Sequence, residues 1–171
     1  MYETNEFVLY GAHGVCEVAE ITEKELNGSA VEYYVLKPVY DPNSTIFVPL
    51  HNAKLTDKMR YVLSAEEIYE LIQEMPDENT IWIEEESKRR EQYKKILEVG
   101  DRKGLVCLIK TLYLRQQKLK EGGKKLHMAE DRFMKDAEKM LFEEFAHVLT
   151  IERDQVLPFI MDQMEEKVQA K

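Results

Sequence analysis

Histidine, cysteine and clustered carboxylates are the side chains from which catalytic and metal sites are built, and in this 171-residue chain they do not converge. His13 and Cys16, three residues apart, could supply two metal ligands. A zinc site needs three or four, and His51, His127 and His147 have no ligand-type neighbours in sequence. Glu84-Glu85-Glu86 and Glu143-Glu144 are acidic clusters in helix-patterned sequence, where such runs read as solvated faces. No phosphate-cradling glycine loop, HExxH or GxSxG spacing occurs. Cys16 and Cys107 form no spaced set and read as reduced, packed thiols. The expectation is a non-enzyme with no metal, no cofactor and no small-molecule ligand. Met1 to Phe7 lacks the basic cluster and apolar stretch of a signal peptide, and no run approaches a membrane span, so a cytoplasmic location is expected.

Binding chemistry is better represented. A net charge of −9 opposes a nucleic-acid partner on average, because affinity for DNA comes largely from Lys and Arg neutralising phosphates. The charge is distributed in blocks, however: −5 over residues 1–58, −8 over 59–86, +9 over 87–135 and −5 over 136–171. A block holding 15 Lys and Arg against 6 Asp and Glu can carry a local positive field, or it can be the solvated face of long helices. The only tryptophan, Trp82, precedes Lys88-Arg89-Arg90 and, on a helix, shares a face with Arg89, Tyr93 and Ile96. It is either the first member of a core stripe, the commoner outcome for a large apolar ring, or a wedge against bases beside phosphate-holding cations. Lys94, Lys95, Arg102 and Lys103 extend the basic surface, and Lys120, Lys124 and Lys125 could bring an inter-helix loop to the same phosphates. Near the N-terminus, Lys24 and the Phe47-Val48-Pro49 run stand out. An apolar residue beside a strand-ending proline can mark an edge that another protein extends, and the alternative for Phe47 is again core packing.

Two structural grammars must position these groups. Residues 1–60 read as β structure, with apolar runs at Phe7–Tyr10, Val15–Ile21, Val31–Tyr40 and Thr45–Leu50 separated by turn residues, among them the hairpin signal Asn27-Gly28. Four or five short strands form too small a sheet to be stable flat, so a small SH3/Tudor-like barrel is expected. Residues 61–171 read as an all-α bundle opened by the Ser64–Glu67 capping box. Pro76-Asp77 ends the first helix, Asn79 or Thr80 can cap the next, and Gly100-Asp101 combines a stop with a start. Gly122-Gly123 separates stripes at Leu105, Leu108, Ile109, Leu112 and at Phe133, Met134, Ala137, Leu141, Phe145, Val148. Pro158 should kink or restart the last helix. The fold class is α+β in two domains.

Phe7 to Val15 with Val18, Glu32 to Lys37, and Phe47-Val48-Pro49 with Asn52 resemble the RNA-polymerase-interacting domain of the CarD/CdnL proteins, shared with transcription-repair coupling factor. Trp82, Lys88-Arg89-Arg90, Leu97 to Asp101 and Ala137 to Phe145 extend the resemblance into the helical part. It implies a bacterial transcription regulator whose barrel binds the RNA polymerase β subunit through Lys24, Phe47 and Pro49. The helical domain would meet promoter DNA, backbone and minor groove, through Trp82, Lys88, Arg89, Arg90 and Lys95, stabilising the open complex without strong sequence specificity. Asp131 and Asp136 stand where some members place lysines, which shifts expected contacts toward Lys124, Lys125, Arg132 and Lys135. A protein-only adaptor on the polymerase, without DNA contact, is the competing reading.

Overall fold

The computed structural model describes residues 1–169, with side chains through Glu165. The chain divides into two compact units, Met1–Leu63 and Ser64–Lys171, against an expected boundary at residue 60.

The first unit is a five-stranded antiparallel sheet: β1 (Phe7–Tyr10), β2 (Val15–Leu26), β3 (Ser29–Pro38), β4 (Ile46–Pro49) and β5 (Met59–Tyr61), with a short helix α1 (Ala53–Thr56) before β5. The order is β4-β3-β2-β1-β5, which leaves β4 and β5 at the ends. The fold is the Tudor-like type, and it bends through a bulge at Ala19, where the β2–β3 register shifts between Val18 and Glu20. Strand alternation places Val8, Tyr10, Cys16, Val18, Tyr34, Leu36, Val48 and Met59 in one buried cluster. Asn27 and Gly28, both at positive φ, close the β2–β3 hairpin in two residues, because only residues tolerant of the left-handed region fit that turn. The hairpin strands are longer than their apolar runs suggest. β2 continues through half-buried Thr22, the exposed charged residues Glu23 to Glu25 and exposed Leu26, so the ladder persists where burial has ended. β5, only three residues long, left no readable run.

Cys16 is fully buried, its Sγ 3.6 Å from the Gly14 carbonyl, and burial pushes its thiol up to about 12. His13 stacks on Tyr10 at 5.8 Å, and no metal-type cluster occurs among the described residues. At pH 8 the native Cys16 thiolate is therefore populated at only about one part in 10⁴, and the thiolate is the nucleophile. Iodoacetamide at pH 8 should leave Cys16 unmodified in the native protein and label it in denaturant; mass spectrometry distinguishes these outcomes, and prompt native labelling overturns the assignment. Because the folded thiol holds its proton more tightly than the unfolded one, its contribution to stability falls as pH rises from the ordinary value near 9 toward 12.

The second unit contains α2 (Ala65–Glu74), α3 (Glu86–Val99), α4 (Arg102–Glu121), α5 (Met128–Leu149) and α6 (Arg153–Gln169). The capping box is present: Ser64 Oγ accepts from the Glu67 N–H at 3.1 Å, and Glu67 Oε2 accepts from the Ser64 N–H at 2.8 Å. Gly100 ends α3 in the left-handed conformation, and Asp101 caps α4 by accepting from the Gly104 N–H at 3.0 Å. Tyr93, Leu105, Leu108, Leu112, Met134 and Ala137 form the core between α3, α4 and α5. Complete burial of Tyr93, Leu108 and Leu112 contributes roughly 1.5–3 kcal/mol for each side chain relative to exposure.

α6 is one helix that begins five residues before Pro158 and runs through it, so of the kink or restart expected there the restart does not occur; the missing proline N–H leaves a single carbonyl without its helical partner. Two further expectations are overturned by the structure. Neither Asn79 nor Thr80 caps α3, which starts at Glu86 after Glu85. The Glu143-Glu144 pair is not a solvated face, since both side chains are buried.

Candidate functional site

The segment from Glu78 to Glu85 is irregular, and it carries Trp82 four residues before α3 rather than on it. Tertiary hydrogen bonds hold it out of the helix. The Ile81 N–H donates to Thr111 Oγ1 at 2.8 Å, and that hydroxyl donates in turn to the Cys107 carbonyl at 2.6 Å. The Tyr93 hydroxyl faces the Ile81 carbonyl at 3.5 Å. Lys110 Nζ donates to the carbonyls of Met75, Pro76 and Glu78, which anchors the segment's start. Arg89 Nη1 donates to the carbonyls of Ile83 and Glu84 at 2.7 and 3.3 Å, which anchors its end.

Trp82 so held is 36 % exposed, and two guanidiniums lie over its ring, Arg89 at 4.3 Å and Arg115 at 4.8 Å from the centroid. It is therefore not part of the buried core. Arg89 is a correction: it is 8 % exposed and ion-paired to Glu130 at 3.1 Å, so its charge is satisfied inside the unit. Its work is to hold the tryptophan segment against α5, and the expectation that it binds phosphate does not fit its burial. The proximity of Trp82 and Arg89 is real, but it comes from an extended strap bonded back onto α3, not from helical spacing.

Ion pairing sorts the remaining cations. Lys88 pairs with Glu85 at 2.8 Å, Arg90 with Glu86 at 2.6 Å, Lys95 with Glu91 at 3.9 Å and Lys103 with Glu74 at 3.1 Å, all on the exposed surface. Lys135 pairs with Asp131 at 2.7 Å. Arg102 makes a two-point contact with buried Glu144 at 2.8 and 2.6 Å. By contrast, among the described residues of the helical unit Lys94, Arg115, Lys118, Lys120, Lys124, Lys125, Arg132 and Lys139 have no ion-pair partner. All but Lys94 on α3 and Lys139 further along α5 occupy the end of α4, the connecting loop and the start of α5. Arg115 has in addition a buried Nε without a hydrogen-bond partner. Most of the uncompensated charge thus lies on the α4–α5 hairpin, which reaches the Trp82 ring through Arg115, whereas the Lys88–Arg90 triplet is ion-paired within the unit. Arg115 and Lys118 were missed in the sequence; the helical offset of four from Thr111 to Arg115 could have pointed to the former only once Thr111 was known to hold the strap.

On the β unit, Phe47 and Val48 alternate as exposed and buried, which places Phe47 on the outer face of β4. Lys24 Nζ lies 3.6 Å above the Phe47 ring, and Tyr33 meets that ring edge-on at 6.2 Å. Pro49 pairs in register with Tyr33 at the end of β4. Lys24 of β2, Tyr33 of β3, and Phe47 and Pro49 of β4 therefore make one surface patch, exposed at Lys24 and Phe47 and half-buried at Tyr33 and Pro49, beside an end strand whose outer side borders no other strand of the sheet.

The model of the family described as CarD-like/TRCF RID domain matches residues 2–63, which spans the whole β unit but not the helical one. No curated protein matches the chain.

Proposed function

We propose, from the match of residues 2–63 to the CarD-like/TRCF RID domain and the RNA polymerase-interacting role in transcription that it supports, a bacterial regulator that is tethered by its β unit and touches promoter DNA with its helical unit. The tether is the patch of Lys24 on β2 with Phe47 and Pro49 on β4, and its target is the polymerase β subunit. An end strand with a cation, an aromatic ring and a terminal proline suits a partner that adds along a sheet edge. The protein works in the cytoplasm, on the nucleoid, and needs no cofactor and no catalysis.

The observation that carries the DNA half is the set of uncompensated cations on the α4–α5 hairpin, of which Arg115 stacks on Trp82. Arg115, Lys118, Lys124, Lys125 and Arg132 can exchange solvent counterions for phosphates without first breaking an ion pair. A partly exposed indole whose ring is already fixed can stack on or wedge against a base step with little ordering cost. Lys88, Arg90 and Lys95, exposed and paired only along their own helix, contribute secondary contacts. Intrinsic DNA affinity is weak, and tethering to polymerase raises the effective concentration to the millimolar range, on the order expected for a short connection. The adaptor reading draws support from the acidic neutralisation of Lys88, Arg90 and Lys95 on α3 and of Lys135.

The tether is tested by retention of purified RNA polymerase β subunit on the immobilised full chain. Lys24→Glu and Phe47→Arg should each weaken retention by about tenfold or more, since an exposed aromatic anchor and its cation are the kind of contact that dominates small interfaces. Unchanged retention by both variants rejects the patch.

A further inference from the structure

The helical unit carries a second surface that neither tether nor DNA contact uses. Between α4, α5 and α6 runs an apolar groove of about 280 Å³ with Val106 and Leu141 in its floor. Along it Tyr113, Leu114, Leu157 and Met161 are each 45–49 % exposed, although the sequence offers Lys and Glu in plenty for such positions. The one lysine of its lining, Lys110, is occupied by three backbone carbonyls. The lining also includes Glu138, a half-buried carboxylate with no hydrogen-bond or ion-pair partner among the described residues. Beyond Glu138 the groove continues into a hollow that adds Glu152 and Asp154; its only cation, Arg153, faces Glu143 at 3.9 Å.

We propose that this groove is a docking site for an amphipathic helix of a partner protein, one that lays leucine-type side chains along Tyr113, Leu114, Leu157 and Met161 and directs a Lys or Arg at Glu138. The elongated apolar lining suits a helix, read through anchors at i, i+3, i+4 and i+7. A small molecule would want several convergent polar groups, and the groove offers one carboxylate. Charge decides the partner's sign: the end of the groove is acidic, its lysine is engaged, and burial pushes the Glu138 carboxyl upward although Arg153 and Lys135 nearby pull it down, so a partner cation meeting it directly would be favoured. The proposal stands independently of the DNA reading.

The test titrates the full chain into a fluorescein-labelled synthetic helical peptide with leucines on one face and a lysine at the edge of that face. Its controls are the same peptide with glutamate for that lysine and a scrambled peptide of identical composition. Saturable binding of the first peptide is expected. Glu138→Lys should weaken it by about tenfold and restore the glutamate peptide, a reversal that a merely structural role for Glu138 would not produce. Met161→Glu, at an exposed position that the fold does not need, should weaken both pairings about tenfold. Equal binding of the scrambled peptide would reduce the effect to the net negative charge and overturn the proposal, as would absence of binding. Concentration-dependent dimerisation in sedimentation, lost in Met161→Glu, would give the groove to a second copy of the chain and overturn it equally.

Discussion

Arg102→Ala should lower the unfolding free energy of the helical unit by about 3–5 kcal/mol, the largest effect expected of any single substitution outside the apolar core. Glu144 is 1 % exposed on its side chain, and Arg102 meets it with Nε and Nη2 on separate carboxylate oxygens, tying the first turn of α4 to α5. Removal of the arginine takes two charge-assisted hydrogen bonds from a carboxylate where water barely reaches, so the penalty is dominated by the desolvation of that charge and not by the modest net worth of the pair. Glu144→Ala should cost less, about 2–3 kcal/mol, because the Arg102 side chain is 19 % exposed and its guanidinium can turn toward solvent. The double variant Arg102→Met with Glu144→Leu should recover most of the loss, since two apolar side chains of similar volume need no mutual compensation. Urea titration followed by far-UV circular dichroism at 222 nm reports the helical unit selectively. A loss below about 1 kcal/mol for Arg102→Ala would mean that solvent already screens the pair.

Trp82→Ala should shorten the life of polymerase–promoter open complexes by roughly 30-fold while leaving retention of the polymerase β subunit unchanged. Stacking of an aromatic side chain on a base is worth about 1–3 kcal/mol, and the ring's fixed placement argues for the upper half of that range. Arg115→Ala should act on the same step in a different way. It removes one uncompensated cation from the phosphates, so the logarithmic salt dependence of DNA binding should flatten by about 0.9 for each phosphate no longer neutralised. It also withdraws one of the two guanidiniums from the indole. Lys88→Ala and Arg90→Ala, whose charges are already met by Glu85 and Glu86, should change complex lifetime by less than about threefold. Trp82→Phe separates wedge from scaffold: a smaller ring keeps partial function if stacking on a base matters and keeps full function if the indole only covers Arg89. The readout is decay of preformed complexes after addition of heparin, using purified bacterial RNA polymerase. Full activity of Trp82→Ala together with lost retention by Phe47→Arg would leave the adaptor reading in possession.

Local rules decide most of what the sequence shows. Positive φ at Asn27 and Gly28 is demanded by a two-residue hairpin, and both residue types tolerate it. Ser64 with Glu67, and Gly100 followed by Asp101, mark helix ends because they satisfy backbone groups within four residues of themselves. Period-2 and helical apolar patterns then separated sheet from bundle and located both cores, since burial of one face is a property of sequence spacing. The Phe47–Pro49 patch and the basic block came from the same reading, as residue types and as charge.

Tertiary structure alone decided what those charges do. Arg89 and Glu130 are 41 residues apart, and Arg102 and Glu144 are 42 apart, so no local pattern distinguishes these buried partners from the exposed Arg90 and Lys88 beside them. The strap that carries Trp82 gave up its expected helix to hydrogen bonds from Thr111, Tyr93 and Arg89, donors and acceptors supplied by other elements. The sequence by itself determined the two folds and the presence of cations near an aromatic ring. Which cations remain free was fixed by packing, because an ion's availability depends on where the nearest opposite charge is placed in space, and chain distance carries no record of that.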